Sequence, residues 1–266
     1  MHISFCNKIV HTSSLQKNEI MKNCNILFTC LAFLLTTIAC KKEEQQPESF
    51  DLKNYVVHHI YRESDGAGNN NKAPEQLLLS FLNAKTDITH VGTVNSAPFP
   101  SNKSTFTVKD PQYSPTDSLL VNIDTTTRKV TVKSKTNASS RPVIASNLID
   151  VREKNWDLNN LKLAGKLETR NSAGVLLQNP TTYVFFNSDA TKLIMQETLP
   201  SGNITYNNTI YFGKDTNYYR EANRGDATFL ERLFFVFLKD KVIISGFYAD
   251  YITHNTFYYY GELNKL

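Results

Sequence analysis

The chain has 266 residues, with 29 Lys+Arg against 25 Asp+Glu, and 41% of it is hydrophobic. All four cysteines (Cys6, Cys24, Cys30 and Cys40) lie in the first 40 residues, so the rest of the chain is built without disulfide staples or thiolate metal sites. Leaving out Lys8, Lys17, Lys22 and Glu19 gives 26 basic and 24 acidic residues from Cys40 onward, a near-neutral balance with no basic run, which excludes a nucleic-acid-binding footprint.

Residues 1–20 are mixed polar and apolar and precede a second methionine, Met21. The expectation is that translation starts at Met21 and that 1–20 are a non-native N-terminal extension. Met21-Lys22-Asn23 is a short cationic start, followed by an apolar stretch, 26–39, that ends on Ala39 before Cys40. A bilayer span needs about 20 predominantly apolar residues. This stretch is shorter and carries Thr29, Thr36 and Thr37, so 21–39 is a signal peptide and not a span.

A cysteine that closes such a core behind a small residue resembles the signal of bacterial lipoproteins. Ala39 and Cys40 keep that family's pattern, while Thr37-Ile38 depart from it. The resemblance implies that Cys40 is lipidated and anchors the protein to a membrane. Residues 40–50 then form a charged tether, Lys41-Lys42-Glu43-Glu44-Gln45-Gln46-Pro47, with no apolar side chain to pack. Lys42, Glu43 and Glu44 resemble the Lys-plus-two-acids signal of surface export in Bacteroidetes-type lipoproteins. The implied location is the outer membrane, lipid-anchored at the cell surface, with a periplasm-facing anchor as the alternative.

Residues 51–266 are expected to form one β-rich globular domain. Residues 55–61 (Tyr-Val-Val-His-His-Ile-Tyr) are aromatic and β-branched, and Asp65-Gly66-Ala67-Gly68 with three asparagines is a loop. Residues 77–82 fit a short helix or a strand equally. Around 97–102 and 110–115 the chain is interrupted by prolines, with a strand at 105–108 between them. Residues 119–123 and 129–133 form a hairpin across Asp124-Thr125-Thr126-Thr127-Arg128. Residues 134–160 are polar and weakly patterned, the place for a lobe boundary.

A meander follows, with strands at 162–170, 175–178, 181–187, 192–198 and 203–212, separated by turn residues at roughly 10-residue spacing. The last 40 residues hold three apolar runs: 233–238, 242–248 and 256–260. The first is apolar at both parities, so a strand there must be covered on both faces. Thr228 and Glu231 could instead cap a helix through it. The fold class is mainly β: an antiparallel meander forming a calycin-like barrel or a two-layer sandwich.

There is no nucleophile elbow, phosphate loop or dinucleotide fingerprint, and the Asp65 loop lacks the acidic alternation of a calcium site. No catalytic residue, metal or cofactor is assigned. His58 and His59 are neighbours on a strand and must point to opposite faces, as strand-surface histidines. Glu168, Asp189, Glu197, Asp215, Glu221 and Asp226 read as solvent-facing acids. The aromatic C-terminus offers binding potential: Phe257 and Tyr259 share one face, while Tyr258 and Tyr260 share the other and are the candidate ligand contacts. Asp117-Ser118-Leu119 and Asp124-Thr125-Thr126 resemble O-glycosylation sites of exported Bacteroidetes-type proteins.

Together these features point to a lipid-anchored envelope protein acting as a binding or interaction module for a glycan, lipid or protein ligand, with no nucleic-acid partner. The alternatives are a carboxylate-dependent hydrolase acting on glycans and a structural accessory subunit of an outer-membrane complex.

Overall fold

A computed structural model describes residues 50–266 apart from 63–72, 82–84, 91–92, 101–102, 110–117, 136–141, 154–155, 203, 205–209 and 216–217. The signal peptide, Cys40, Lys42, Glu43, Glu44, the Asp65 loop, the 110–115 segment and Asp117 lie outside the described residues. Residues 50–266 form one compact unit. Its fold is mainly β and antiparallel, and among the described residues the only helical piece is a 3-10 turn, Leu52–Asn54.

The first half holds β1 (Tyr55–Tyr61), β2 (Glu75–Ser80), β3 (Lys85–His90), β4 (Thr93–Pro98), β5 (Thr105–Lys109), β6 (Ser118–Asp124), β7 (Lys129–Ser134) and β8 (Val143–Asp150). Hydrogen bonding runs in the order β4-β3-β2-β1-β8 in one sheet and β5-β6-β7 in another. β5 lies beside β4 and β7 beside β8, so the eight strands surround a common core. That core joins Val57, Tyr61, Leu77, Leu79, Ile88, Phe106, Val121 and Val132, with Leu52 of the 3-10 turn set against it. Strands β5, β6 and β7 alternate buried and exposed positions, the pattern of a sheet with one solvated face.

The second half holds β9 (Lys162–Asn171), β10 (Leu176–Gln178), β11 (Thr181–Phe186), β12 (Lys192–Gln196), β13 (Ile210–Asp215), β14 (Tyr219–Gly225), β15 (Phe229–Phe237), β16 (Val242–Asp250) and β17 (Asn255–Lys265). Each neighbour pairs antiparallel with the next, and β17 pairs back onto β9 from Phe257↔Asn171 to Lys265↔Leu163. The meander therefore closes into an eight-strand ring, with β10 as a short flap on β9. Closure brings backbones very near one another. A Cβ on inward-facing Gly165 would sit 1.9 Å from the Glu262 carbonyl oxygen, and one on Gly246 would sit 2.1 Å from that of Arg232. Only glycine permits that approach.

Several strands serve two cores each. On β15, Leu233, Phe235 and Phe237 face the barrel interior, while Phe234, Val236 and, just past the strand, Leu238 face a seam against the first half. The both-sided burial expected of 233–238 is thus met by a strand, and the helix alternative fails. β1 repeats the arrangement, with Val57 and Tyr61 inside the first core and Val56 and Ile60 in the seam. His58 and His59 do point to opposite faces, but neither is on the surface: both are buried. Several polar strands escape sequence patterning: β3, β4, β8 and β14. The 77–82 ambiguity resolves as the strand β2. The change from one group of strands to the other falls between β8 and β9.

Candidate ligand-binding site

The second barrel has unlike ends. Below β9, Trp156 and Leu158 pack against its core. The Trp156 ring lies 6.1 Å from that of Phe237, and its Nε1–H donates to the Leu238 carbonyl. Phe186 meets Phe235 and Phe237 edge-on at 5.9 and 6.5 Å. This end is filled by packed apolar side chains.

At the other end the inward positions change character. Along β15 the interior series Phe237, Phe235, Leu233 continues to Glu231 and Phe229. Along β16 it runs from Val242 and Ile244 to Tyr248, along β17 from Leu263 to Tyr259 and Phe257, and along β14 from Ala222 to Arg224. Arg224 and Glu231 are opposite one another in register, and the guanidinium Nε–H donates to Glu231 Oε2 at 2.5 Å. The Glu231 side chain is only 3% exposed, that of Arg224 34%. The Arg224 guanidinium also lies over the Phe229 ring at 5.9 Å, Phe229 stacks on Tyr248 at 5.5 Å, and Tyr248 leans on Phe257. Burial, reinforced by the negative charge of Glu231 and partly offset by Arg224, pushes the Tyr259 hydroxyl pKa well above its ordinary value. Phe229, Tyr248, Phe257 and Tyr259 face inward yet are partly exposed, so the mouth is open to solvent.

The segments around this mouth, β10 and several loops, expose apolar residues where solvent-facing segments are usually polar. Val175, Leu176, Leu177, Leu199, Tyr251 and Ile252 are all exposed, Ile252 by 71%. Aspartates hold the turns: Asp226 Oδ1 accepts from the Thr228 N–H and Asp250 Oδ1 from those of Ile252 and Thr253, while the Tyr251 N–H donates to the Thr228 carbonyl, tying two rim turns together.

A second polar cluster lies in the seam. His58 Nε2–H donates to Gln76 Oε1 at 2.7 Å, and the Asn147 amide donates to His58 Nδ1 at 3.2 Å. The Gln76 amide nitrogen donates to Ser245 Oγ at 2.9 Å and to the Phe234 and Ile243 carbonyls. Burial pushes the His58 pKa down to about 3, against the Gln76 hydrogen bond and with help from His59 and Lys241. On the opposite face of β1, inside the first core, His59 Nδ1 lies 3.1 Å from Ser146 Oγ, and burial lowers its pKa to about 4. Both imidazoles are neutral parts of the packing.

Tyr258 and Tyr260 share the barrel's outer face: Tyr260 packs into the seam and Tyr258 is 37% exposed. The inward pair is Phe257 and Tyr259. Glu168 is held outside the barrel by Arg62 and Arg170, Asp189 and Asp226 cap turns, Glu197 is exposed and Glu221 lies on the outer parity of β14. Among the described side chains the inward carboxylate is Glu231, whose signal in the sequence was its parity with Leu233, Phe235 and Phe237. Among the described residues no group of three or more His, Cys, Asp or Glu is arranged to hold a metal.

No family model matches the chain, and no curated protein does. Among solved structures it is similar to a protein of unknown function of the DUF3598 family from Nostoc punctiforme, at 10% identity and a TM-score of 0.32, over 79% of this chain and 95% of that one.

Proposed function

We propose that the protein is a lipid-anchored binding module of the cell envelope, displayed outward from the outer membrane through Cys40, and that the open end of its second barrel is the ligand cup. The observation that carries this is the row of inward-facing, part-exposed aromatics, Phe229, Tyr248, Phe257 and Tyr259, beneath a rim of exposed aliphatic side chains. A concave, largely apolar site with a few placed polar groups is the usual form of a small-ligand pocket, and exposed apolar residues gathered at one end mark a contact surface. An apolar or amphiphilic molecule suits both.

The single tryptophan makes the test direct. Chain 40–266 carrying Cys40→Ser, which needs no detergent, would be titrated with an apolar fluorophore while Trp156 emission is followed. Saturable quenching that Tyr248→Ala and Phe257→Ala weaken supports the cup. Quenching untouched by these variants but lost with Leu176→Ser and Ile252→Ser would shift the function to partner docking by the rim.

A further inference from the structure

We infer that the cup selects a single-chain amphiphile ending in a carboxylate, with Arg224 as the headgroup contact; this rests on the open end of the second barrel being a ligand cup. Arg224 and Glu231 form a cross-strand pair facing the interior, but they are not equally placed. The carboxylate is almost wholly buried while a third of the Arg224 side chain is exposed. The pair is neutral overall and acts as a dipole with its positive end toward the ligand. Only Nε is engaged with Glu231, and the two Nη groups donate to no described residue. The stacking of the guanidinium over Phe229 restrains its plane.

A planar donor fork of this kind fits a carboxylate in the bidentate manner that lysine cannot reproduce. One negative charge is favoured over two, because Glu231 already lies beside the site and repels a dianion in a partly desolvated mouth. A cationic headgroup would meet the guanidinium first. The chain of the ligand would lie on Tyr248, Phe257 and the rim residues Leu176 and Ile252, which supply apolar contact without a charge of their own.

The test is calorimetric titration of the Cys40→Ser chain 40–266 at pH 8 with dodecanoate, dodecanol, dodecyl phosphate and dodecyltrimethylammonium, each below its micellar concentration. Dodecanoate should bind about tenfold to a hundredfold more tightly than dodecanol, the range expected of a charge-assisted hydrogen bond. The double variant Arg224→Gln/Glu231→Gln, which leaves no orphaned buried carboxylate, should bring dodecanoate down to the level of dodecanol. Arg224→Lys, which keeps the charge and loses the fork, should fall between. Equal binding of dodecanol and dodecanoate by the unsubstituted protein would overturn the headgroup assignment and leave the cup standing. Tightest binding of the phosphate or the ammonium would also overturn it. Binding of none of the four would remove the cup itself.

Discussion

Acidification from pH 7 to pH 5 should strip this fold of a large part of its stability, and the two adjacent histidines are the reason. His58 and His59 have folded pKa values of about 3 and about 4, both lowered chiefly by burial. In the unfolded chain each returns to about 6.5. The unfolded state therefore binds more protons throughout the interval between, and stability falls as pH falls. It is fully present above about pH 6.5 and is lost progressively down to about pH 4 to 3. Linkage gives about 1.4 kcal/mol per pH unit for each histidine within that window, hence roughly 2 kcal/mol each and 4 kcal/mol together by pH 5. That is a substantial share of a domain's typical ~5 to 15 kcal/mol. Urea unfolding followed by Trp156 emission at pH 7, 6 and 5 measures it. His59→Gln should halve the slope, because one of the two proton-linked groups is gone. A stability that stays flat between pH 7 and 5 would refute the reasoning, since it would mean that the folded imidazoles accept protons as easily as the unfolded ones.

Phe235→Ala, which empties a fully buried site inside the second barrel, should cost about 3 to 5 kcal/mol in urea unfolding, whereas Tyr258→Ala on the outer face should stay within about 0.5 kcal/mol. Gly165→Ala should cost at least about 1 to 3 kcal/mol, as overpacking against backbone does, while Gly202→Ala, whose Cβ would meet nothing within 4 Å, should be silent; equal melting temperatures for the two variants would argue against closure of β9 on β17. Below the ordinary carboxylate range a second loss should follow, because hydrogen bonds from turn groups depress the pKa values of Asp124, Asp189, Asp226 and Asp250. Their contribution is present above the unfolded pKa and disappears as pH drops through the folded values, so Asp250→Asn should flatten only the acid limb. Mass spectrometry of the native protein should find acyl chains on Cys40, and Cys40→Ser should abolish them. Alanines at Lys42, Glu43 and Glu44 should protect the domain from protease added to intact cells.

Strands with a clean pattern were legible in the sequence, and the others failed for a common reason. β6 and β7 alternate because one face is wet, and β1 and the core of β15 are continuously buried because each faces one of the two cores on one side and the seam on the other. β8 has neither signature: Ser146 reaches His59 on one face and Asn147 reaches His58 on the other, so polar residues stand on both parities. β14 carries Arg220, Glu221 and Arg224 within seven residues and looks like a loop until its neighbours are known. The Arg224–Glu231 pair was hidden for a related reason. Arg224 and Glu231 are polar in an apolar interior only because they meet across two strands, and that meeting depends on register, which hydrophobic patterning does not supply. In the aromatic C-terminus parity alone gave no way to tell which of its faces, Phe257 and Tyr259 or Tyr258 and Tyr260, turned inward.

The seam explains why the two strand groups behave as one unit. Its apolar members, Val56, Ile60, Leu78, Phe234, Val236 and Ile243, supply a non-directional driving force that tolerates sliding. Gln76 does not tolerate it. Its carboxamide accepts from His58 on its own sheet and donates to Ser245 and to the carbonyls of Phe234 and Ile243 across the seam. Shifting the two strand groups by two residues along a strand would preserve apolar contact but leave a buried amide and imidazole without partners, at a cost of about 1 to 3 kcal/mol for each group. Apolar burial thus brings the halves together, and the Gln76 network chooses one docking among several that burial alone would accept. Because β15 and β16 carry both the seam contacts and the interior of the second barrel, fixing that docking also fixes the strands on which Glu231 and Tyr248 are mounted.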